Sequence, residues 1–117
     1  MILYRVQVVL QRDIYDDWLH YMLHDHIPEV LATGCFSGYS IARVVDASAD
    51  DITVCISYSC ASMSAYDRYQ SQYAPALQAN HSSRYGALVS ASRIILTDDL
   101  SLDSAPTSAS RSTEHVG

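Results

Sequence analysis

The chain has 117 residues, of which 49% are hydrophobic and 17% charged, a composition typical of a single globular domain and not of a disordered chain. Its net charge of −6 argues against a nucleic-acid partner, which would need a basic surface. No apolar run approaches the roughly 18–20 residues of a membrane span, and Met1 leads directly into a strand-like segment, so we expect no membrane association, no signal peptide and a cytoplasmic location.

The basic and sulfur-containing residues limit the chemistry further. All seven basic residues are arginines, which excludes a lysine Schiff base or a lysine general base. Three cysteines (Cys35, Cys55 and Cys60) form no C-x-x-C pair. We interpret them as reduced, mainly buried thiols.

The first third of the chain predicts a strand followed by a helix. Ile2–Leu10 alternates as a strand does, and Asp13 can cap the helix that follows. Helical spacing places one broad apolar arc on this helix, and His20 and His24 fall on the opposite, acidic side with Asp16 and Asp17. His26 returns to the apolar side. The arc comprises Ile14, Tyr15, Trp18, Leu19, Tyr21, Met22 and Leu23.

Pro28 is expected to break or restart this helix, because a residue before proline is disfavoured in the α conformation. A short helical turn should then cover Glu29–Ala32, with Gly34 as a left-handed stop. The pattern predicts strands over Phe36–Asp46 and Ile52–Cys60, joined by a turn over Asp46–Asp51.

The second half predicts a helix and a last strand. Ser62 can cap a helix whose apolar stripe is Tyr66, Tyr69, Tyr73 and Leu77. Pro75 predicts a break near Tyr73, after which the helix should continue to Tyr85 and stop at Gly86. Leu88–Leu96 is the fourth predicted strand.

The element order β-α-β-β-α-β predicts an α+β fold of ferredoxin-like topology over residues 1–98. Residues 99–117, rich in Ser, Thr, Ala and Pro, are expected to form a disordered tail. One sheet face should carry the helices. The other face is too apolar to be left in water, so we expect a homodimer that forms an α+β barrel. The residues assigned to that second face are Leu3, Val9, Tyr39, Ile41, Val45, Cys55, Ile94 and Leu96.

Three segments carry a family resemblance: MILYRVQVVL, WLHYMLHDHIPEVLATGCF and YDRYQSQYAPALQANHSSRYG. They resemble the small bacterial family called domain of unknown function 4286, and the resemblance covers roughly residues 1–97. It implies a dimeric α+β barrel and no established activity. The chain departs from the family pattern at Tyr73, where His is usual, and in its extra His20 and His24 and its lack of lysines. These departures favour a derived role, such as a tailoring step in natural-product biosynthesis.

More distantly, a helix ending in His-x-Pro is similar to the EthD-like and polyketide-cyclase branches of the dimeric barrels. That resemblance implies a small-molecule cavity between helices and sheet.

His26 and Glu29 are the leading candidate catalytic pair. A neutral histidine beside an apolar pocket can exchange a proton near pH 7, and a nearby carboxylate can orient it. Alternatively, His26 binds backbone carbonyls at the kink and Glu29 caps the short helix. His81, on the same side of its helix as Tyr73, is a second catalytic candidate or a core histidine.

Aromatic residues are the candidate substrate-binding set, because their rings suit a flat ligand and their hydroxyls can stabilise a developing oxyanion. They could equally fill the core. The set is Trp18, Tyr21, Met22, Tyr58, Tyr69 and Tyr73. His20, His24 and Asp16 have a spacing that metal ligands use, but they lie on the predicted solvent face, so we predict neither a metal nor a cofactor.

Two classes of function remain open at this point. The first is a cofactor-independent cyclase, isomerase or dehydratase that acts by acid–base catalysis on an apolar or aromatic, polyketide-like molecule. The second is a non-catalytic ligand-binding or accessory protein. A solvent-filled cavity beside His26 would favour the enzyme, and a dry, fully packed interface would favour the accessory role.

Overall fold

A computed structural model of the chain describes residues 1–45 and 50–101. Its strands and α-helices are, in chain order, β1 (Ile2–Gln11), α1 (Tyr15–Tyr21), α2 (Ile27–Ala32), β2 (Gly38–Arg43), β3 (Asp51–Cys60), α3 (Met63–Gln72), α4 (Ala74–Tyr85) and β4 (Val89–Thr97). Short 3₁₀ turns at Arg12–Ile14 and Gly86–Leu88 and a π-helical turn at Met22–His26 complete the path. Most of the predicted tail (residues 102–117) and part of the predicted turn (residues 46–49) lie outside the described residues.

The strands form one antiparallel sheet in the order β2-β3-β1-β4. This is the strand order of the predicted ferredoxin-like plan, so the α+β fold class is confirmed. The two long strands β1 and β3 pair over their full length at the centre, with Tyr4 opposite Tyr58 and Val8 opposite Val54. Their alternate side chains are buried beneath the helices and form the core.

Pro28 was expected to break or restart the helix, and the structure shows a restart at Ile27 without a break in the helical path. Residues 26 and 27 keep α-helical dihedrals, and the N–H of Ile27 bonds to the carbonyl of Met22, five residues earlier. The wider π-helical turn at Met22–His26 therefore carries the chain into α2, whose first turn holds the proline. Proline at this position costs little, because the first amides of an α-helix have no partner within it.

The other predicted helix signals are confirmed. Ser62 accepts a hydrogen bond from the amide of Ala65 and so caps α3. Tyr73, at φ −123° and ψ −38°, separates α3 from α4 one residue before Ala74-Pro75. Gly34 (φ +77°) and Gly86 (φ +53°) end α2 and α4 in a conformation that favours glycine.

The second strand is shorter than predicted, and part of its face assignment is wrong. It covers Gly38–Arg43, and Phe36 is buried in the segment before it. Tyr39 and Ile41 pair with Tyr58 and Ile56, so they lie on the helix-covered side and not on the opposite face. The predicted strand was too long and contains few apolar residues, so its alternation did not determine which side chains face the helices, and the two faces were exchanged.

Candidate functional site

A cavity of about 70 Å³ lies between the sheet and the helices. Strands β1, β3 and β4 form its floor, and the π-helical turn with α3 and α4 forms its walls. It reaches the surface beside the exposed residues Ser82 and Gly86. The lining residues are Tyr4, Val6, Val8, Met22, His26, Ile56, Tyr58, Tyr69, Gln78, His81, Ser82, Gly86, Val89, Ala91 and Arg93.

His26 lines this cavity from the last position of the π-helical turn. Its Nδ1 is buried and has no hydrogen-bond partner among the described residues. Burial, with smaller contributions from the charges of His81 and Arg93, lowers the pKa of His26 from 6.5 to about 4. The imidazole is therefore neutral at pH 7, and it can accept a proton or donate a hydrogen bond to a molecule in the cavity.

His81 lies beside His26, with ring centroids 5.7 Å apart in an edge-on arrangement. The indole Nε1–H of Trp18 donates to His81 Nε2 at 3.0 Å. In neutral His81 the proton must then be on Nδ1, because Nε2 is the acceptor. Burial and the charge of Arg93 lower the pKa of His81, which favours the neutral form of the ring. His81 thus offers a donor N–H, and His26 is the better candidate base.

Arg93 brings a positive charge to the same cavity. It lies on β4 opposite Val6, and its Nε donates to the hydroxyl of Tyr4 at 3.0 Å. Burial raises the pKa of Tyr4, although the Arg93 charge and hydrogen bonds with Arg93, Gln70 and Gln78 act in the opposite direction. The phenol is therefore protonated at neutral pH.

Two further tyrosines contribute to the wall of this cavity. Tyr58 and Tyr69 are buried and line the cavity. Burial raises the pKa of both hydroxyls, which keeps them as neutral hydrogen-bond donors. Their rings pack with Tyr4 and Phe36 in one aromatic cluster. The cavity therefore combines aromatic and aliphatic walls with a few polar groups, as small-molecule sites do.

The predicted site residues divide into three groups. Met22, His26, Tyr58, Tyr69 and His81 line the cavity together.

Trp18 and Tyr21 lie behind that wall. Trp18 is fully buried against His81, and the Tyr21 ring contacts both histidines at centroid distances of 6.0 Å (His26) and 6.1 Å (His81). The guanidinium of Arg84 lies 4.7 Å above the centre of the Tyr21 ring. These residues position the histidines and do not line the cavity.

Glu29 and Tyr73 are not among the lining residues. Glu29 is exposed on α2, and none of the hydrogen bonds found within residues 1–45 and 50–101 connects it to His26. The proposed orienting role of Glu29 therefore has no support from the geometry. Tyr73 is half-buried at the break between α3 and α4, where it packs against the core.

Arg93 was not among the site residues predicted from the sequence, although the strand pattern indicates its inward position. Ile94 and Leu96 were assigned to the sheet face away from the helices, so strand alternation places Arg93 on the helix-covered face. A charged residue at an inward strand position is unusual and often has a functional partner.

Neither a metal site nor a membrane-spanning helix occurs among the described residues. The part of the chain that the structure describes contains no cluster of three or more His, Cys, Asp or Glu side chains arranged to hold a metal ion. Within the same residues, no helix has the length and apolar character required to cross a membrane.

Comparisons with known proteins identify the fold more clearly than the function. The model of the family described as "Domain of unknown function (DUF4286)" matches residues 1–98. The structure is similar to that of an ethyl tert-butyl ether d (EthD) family protein from Bacillus halodurans, with a TM-score of 0.60 and 13% identity. That likeness covers 84% of this chain and 99% of the other, and at this identity it shows the shared fold alone. No curated protein matches the chain significantly.

Proposed function

The chain belongs to the DUF4286 family, and we propose that it is a cofactor-independent enzyme that transfers protons on a small apolar or aromatic molecule. The observation that carries this proposal is the cavity beside His26, whose imidazole faces inward with His81 and Arg93 around the same space. Cyclisation, isomerisation and dehydration are the reaction types that such proton transfer supports, and tailoring of a specialised metabolite is the role we propose.

In this proposal His26 takes a proton from the substrate. Its low pKa keeps the imidazole unprotonated at neutral pH. The negative charge that develops on the substrate oxygen is stabilised by donors in the cavity wall, namely the hydroxyls of Tyr58 and Tyr69 and the N–H of His81. Such donors are most effective in a site that excludes bulk water.

Exchange of substrate C–H hydrogens with D₂O tests this step without knowledge of the final product. Small enolisable ketones and aromatic carbonyl compounds are incubated with the protein, and deuterium incorporation is followed by NMR. We expect His26→Asn to slow exchange by about 100-fold or more, the typical contribution of a general base, while the melting temperature changes by a few degrees at most. His24→Asn, which alters an exposed histidine of the same turn, should retain full exchange.

The alternative is a non-catalytic binding protein, which is favoured because no carboxylate of residues 1–45 or 50–101 bonds to His26 Nδ1. Compounds that bind in the cavity without exchanging any hydrogen would support this alternative. Exchange that continues unchanged in His26→Asn would contradict the role of His26.

We also propose a cytoplasmic homodimer that associates through the sheet face opposite the helices. Leu3 and Leu96 lie opposite each other on that face, and both are only partly buried in a single chain. A stable interface buries about 1,200–2,000 Å² in total, and an unpaired apolar sheet face is a suitable surface. The free thiols support a reducing compartment. Light scattering should give twice the chain mass for the wild type and the monomer mass for Leu96→Asp. A monomeric wild type would contradict the dimer.

A further inference from the structure

Arg93 is a cation in the cavity that has no anionic partner in the described protein. It is half-buried, and the residues that line the cavity with it include no aspartate or glutamate. Within residues 1–45 and 50–101 the observed ion pair is that of the Met1 amino group with Asp98, and it does not include Arg93. Even partial burial of a charge without an opposite charge is unfavourable, so an anion bound at Arg93 would be stabilised.

The hydrogen bonds of Arg93 leave one side of its guanidinium available. Its Nε–H is directed to the hydroxyl of Tyr4, and no described residue accepts a hydrogen bond from its Nη atoms. The two Nη atoms form a planar pair of donors whose geometry matches the two oxygens of a carboxylate. Tyr4 keeps the guanidinium in place.

We propose that Arg93 binds the carboxylate of the substrate, so the substrates are small apolar carboxylic acids. This inference rests on the proposed function, because it assigns a substrate class to the same cavity. The groups around Arg93 fit this class: neutral histidines and phenols supply further donors, and Val6, Val8, Ile56 and Met22 supply an apolar wall for the rest of the molecule.

The size of the cavity limits the part of the substrate that it encloses. Its volume of about 70 Å³ is roughly half that of an engineered cavity of about 150 Å³ that binds benzene. A short acyl chain such as butyrate is therefore a suitable probe. A larger substrate would extend past Ser82 and Gly86 to the surface.

The test compares acids with their neutral amides. Butyrate and butyramide are titrated into the full chain, and binding is followed by calorimetry and by the ¹⁵N NMR signals of the arginine Nε–H groups. We expect butyrate to bind at least tenfold more tightly than butyramide, because a charge-assisted hydrogen bond contributes about 1.5–3 kcal/mol, a factor of about 10–150. Arg93→Gln should remove this difference. Arg68→Gln is the matched control, since Arg68 is exposed on α3, bonded to Cys35, and does not line the cavity.

Three results would overturn the proposal: equal binding of butyrate and butyramide to the wild type, undiminished butyrate binding by Arg93→Gln, or an equal loss in Arg68→Gln. Should Arg93→Gln fail to fold, the wild-type titration decides the question, because the Arg93 Nε–H signal must move with butyrate and not with butyramide. His26→Asn separates this proposal from the proposed function. It should still bind butyrate, so a failure of catalysis leaves the carboxylate site testable.

Discussion

Protonation of His26 should destabilise the folded protein, and the effect is large enough to measure. The folded protein holds the pKa of His26 at about 4, whereas the unfolded chain has the ordinary value of 6.5. Between these values the unfolded state binds the proton more readily, so the free energy of unfolding falls as pH decreases through this range. The complete loss is about 3 kcal/mol, and about 2 kcal/mol of it occurs between pH 7.5 and pH 5.

Urea unfolding at several pH values measures this loss when wild type and His26→Asn are compared at one protein concentration. Stability lost to other groups affects both proteins, so we expect the wild type to lose about 2 kcal/mol more than the variant between pH 7.5 and pH 5. His24→Asn controls for removal of a histidine from this segment. NMR titration of the wild type should give a His26 pKa near 4. Parallel stability curves for wild type and His26→Asn would refute the reasoning, because the imidazole would then not be desolvated.

Three further perturbations test the surroundings of the cavity. Trp18→Phe removes the donor to His81 Nε2. We expect a higher pKa for His81 by NMR and a loss of about 1–3 kcal/mol in the free energy of unfolding. An unchanged His81 titration would contradict the assigned tautomer. Gly86→Ala adds a side chain where the backbone has φ +53° and ψ −131°, so it should lower the free energy of unfolding by about 1–3 kcal/mol. Gly38→Ala is the control: its φ lies outside the left-handed region, so thermal unfolding should change little. Butyrate should raise the NMR-measured pKa of His26, because an anion at Arg93 offsets one of the charges that lower it; an unchanged value would place the ligand elsewhere.

The topology could be predicted from the sequence because each element carried its own local signal. Glycine at 34 and 86, serine at 62 and proline at 75 mark helix ends through backbone requirements that tertiary packing seldom changes. Strand alternation gave the correct buried face for β1 and β3, which pair with each other and are covered on one side.

The predictions failed at positions where tertiary packing, and not a local sequence signal, determines the structure. The sequence rule for Pro28 is a local preference, and the buried contacts of Ile27 and Val30 on the next turn outweigh it. The orientation of Glu29 depends on the rotation of that turn, which a regular helical wheel does not include. Arg93 was not predicted as a site residue, although the alternation of β4 places it on the helix-covered face.

The π-helical turn determines which of the side chains that follow it face the cavity. In an uninterrupted α-helix, Asp25 would stand seven residues after Trp18, two turns away on the same side. In the structure Asp25 is exposed, and His26 and Ile27 face inward instead. The extra residue of the π-helical turn therefore gives His26 the inward position that regular α-helical winding would give to Asp25. Deletion of the exposed Leu23 would place His26 seven residues after Trp18, so regular α-helical winding would then hold the same imidazole at the cavity, whereas regular winding of the full-length segment would present a carboxylate there.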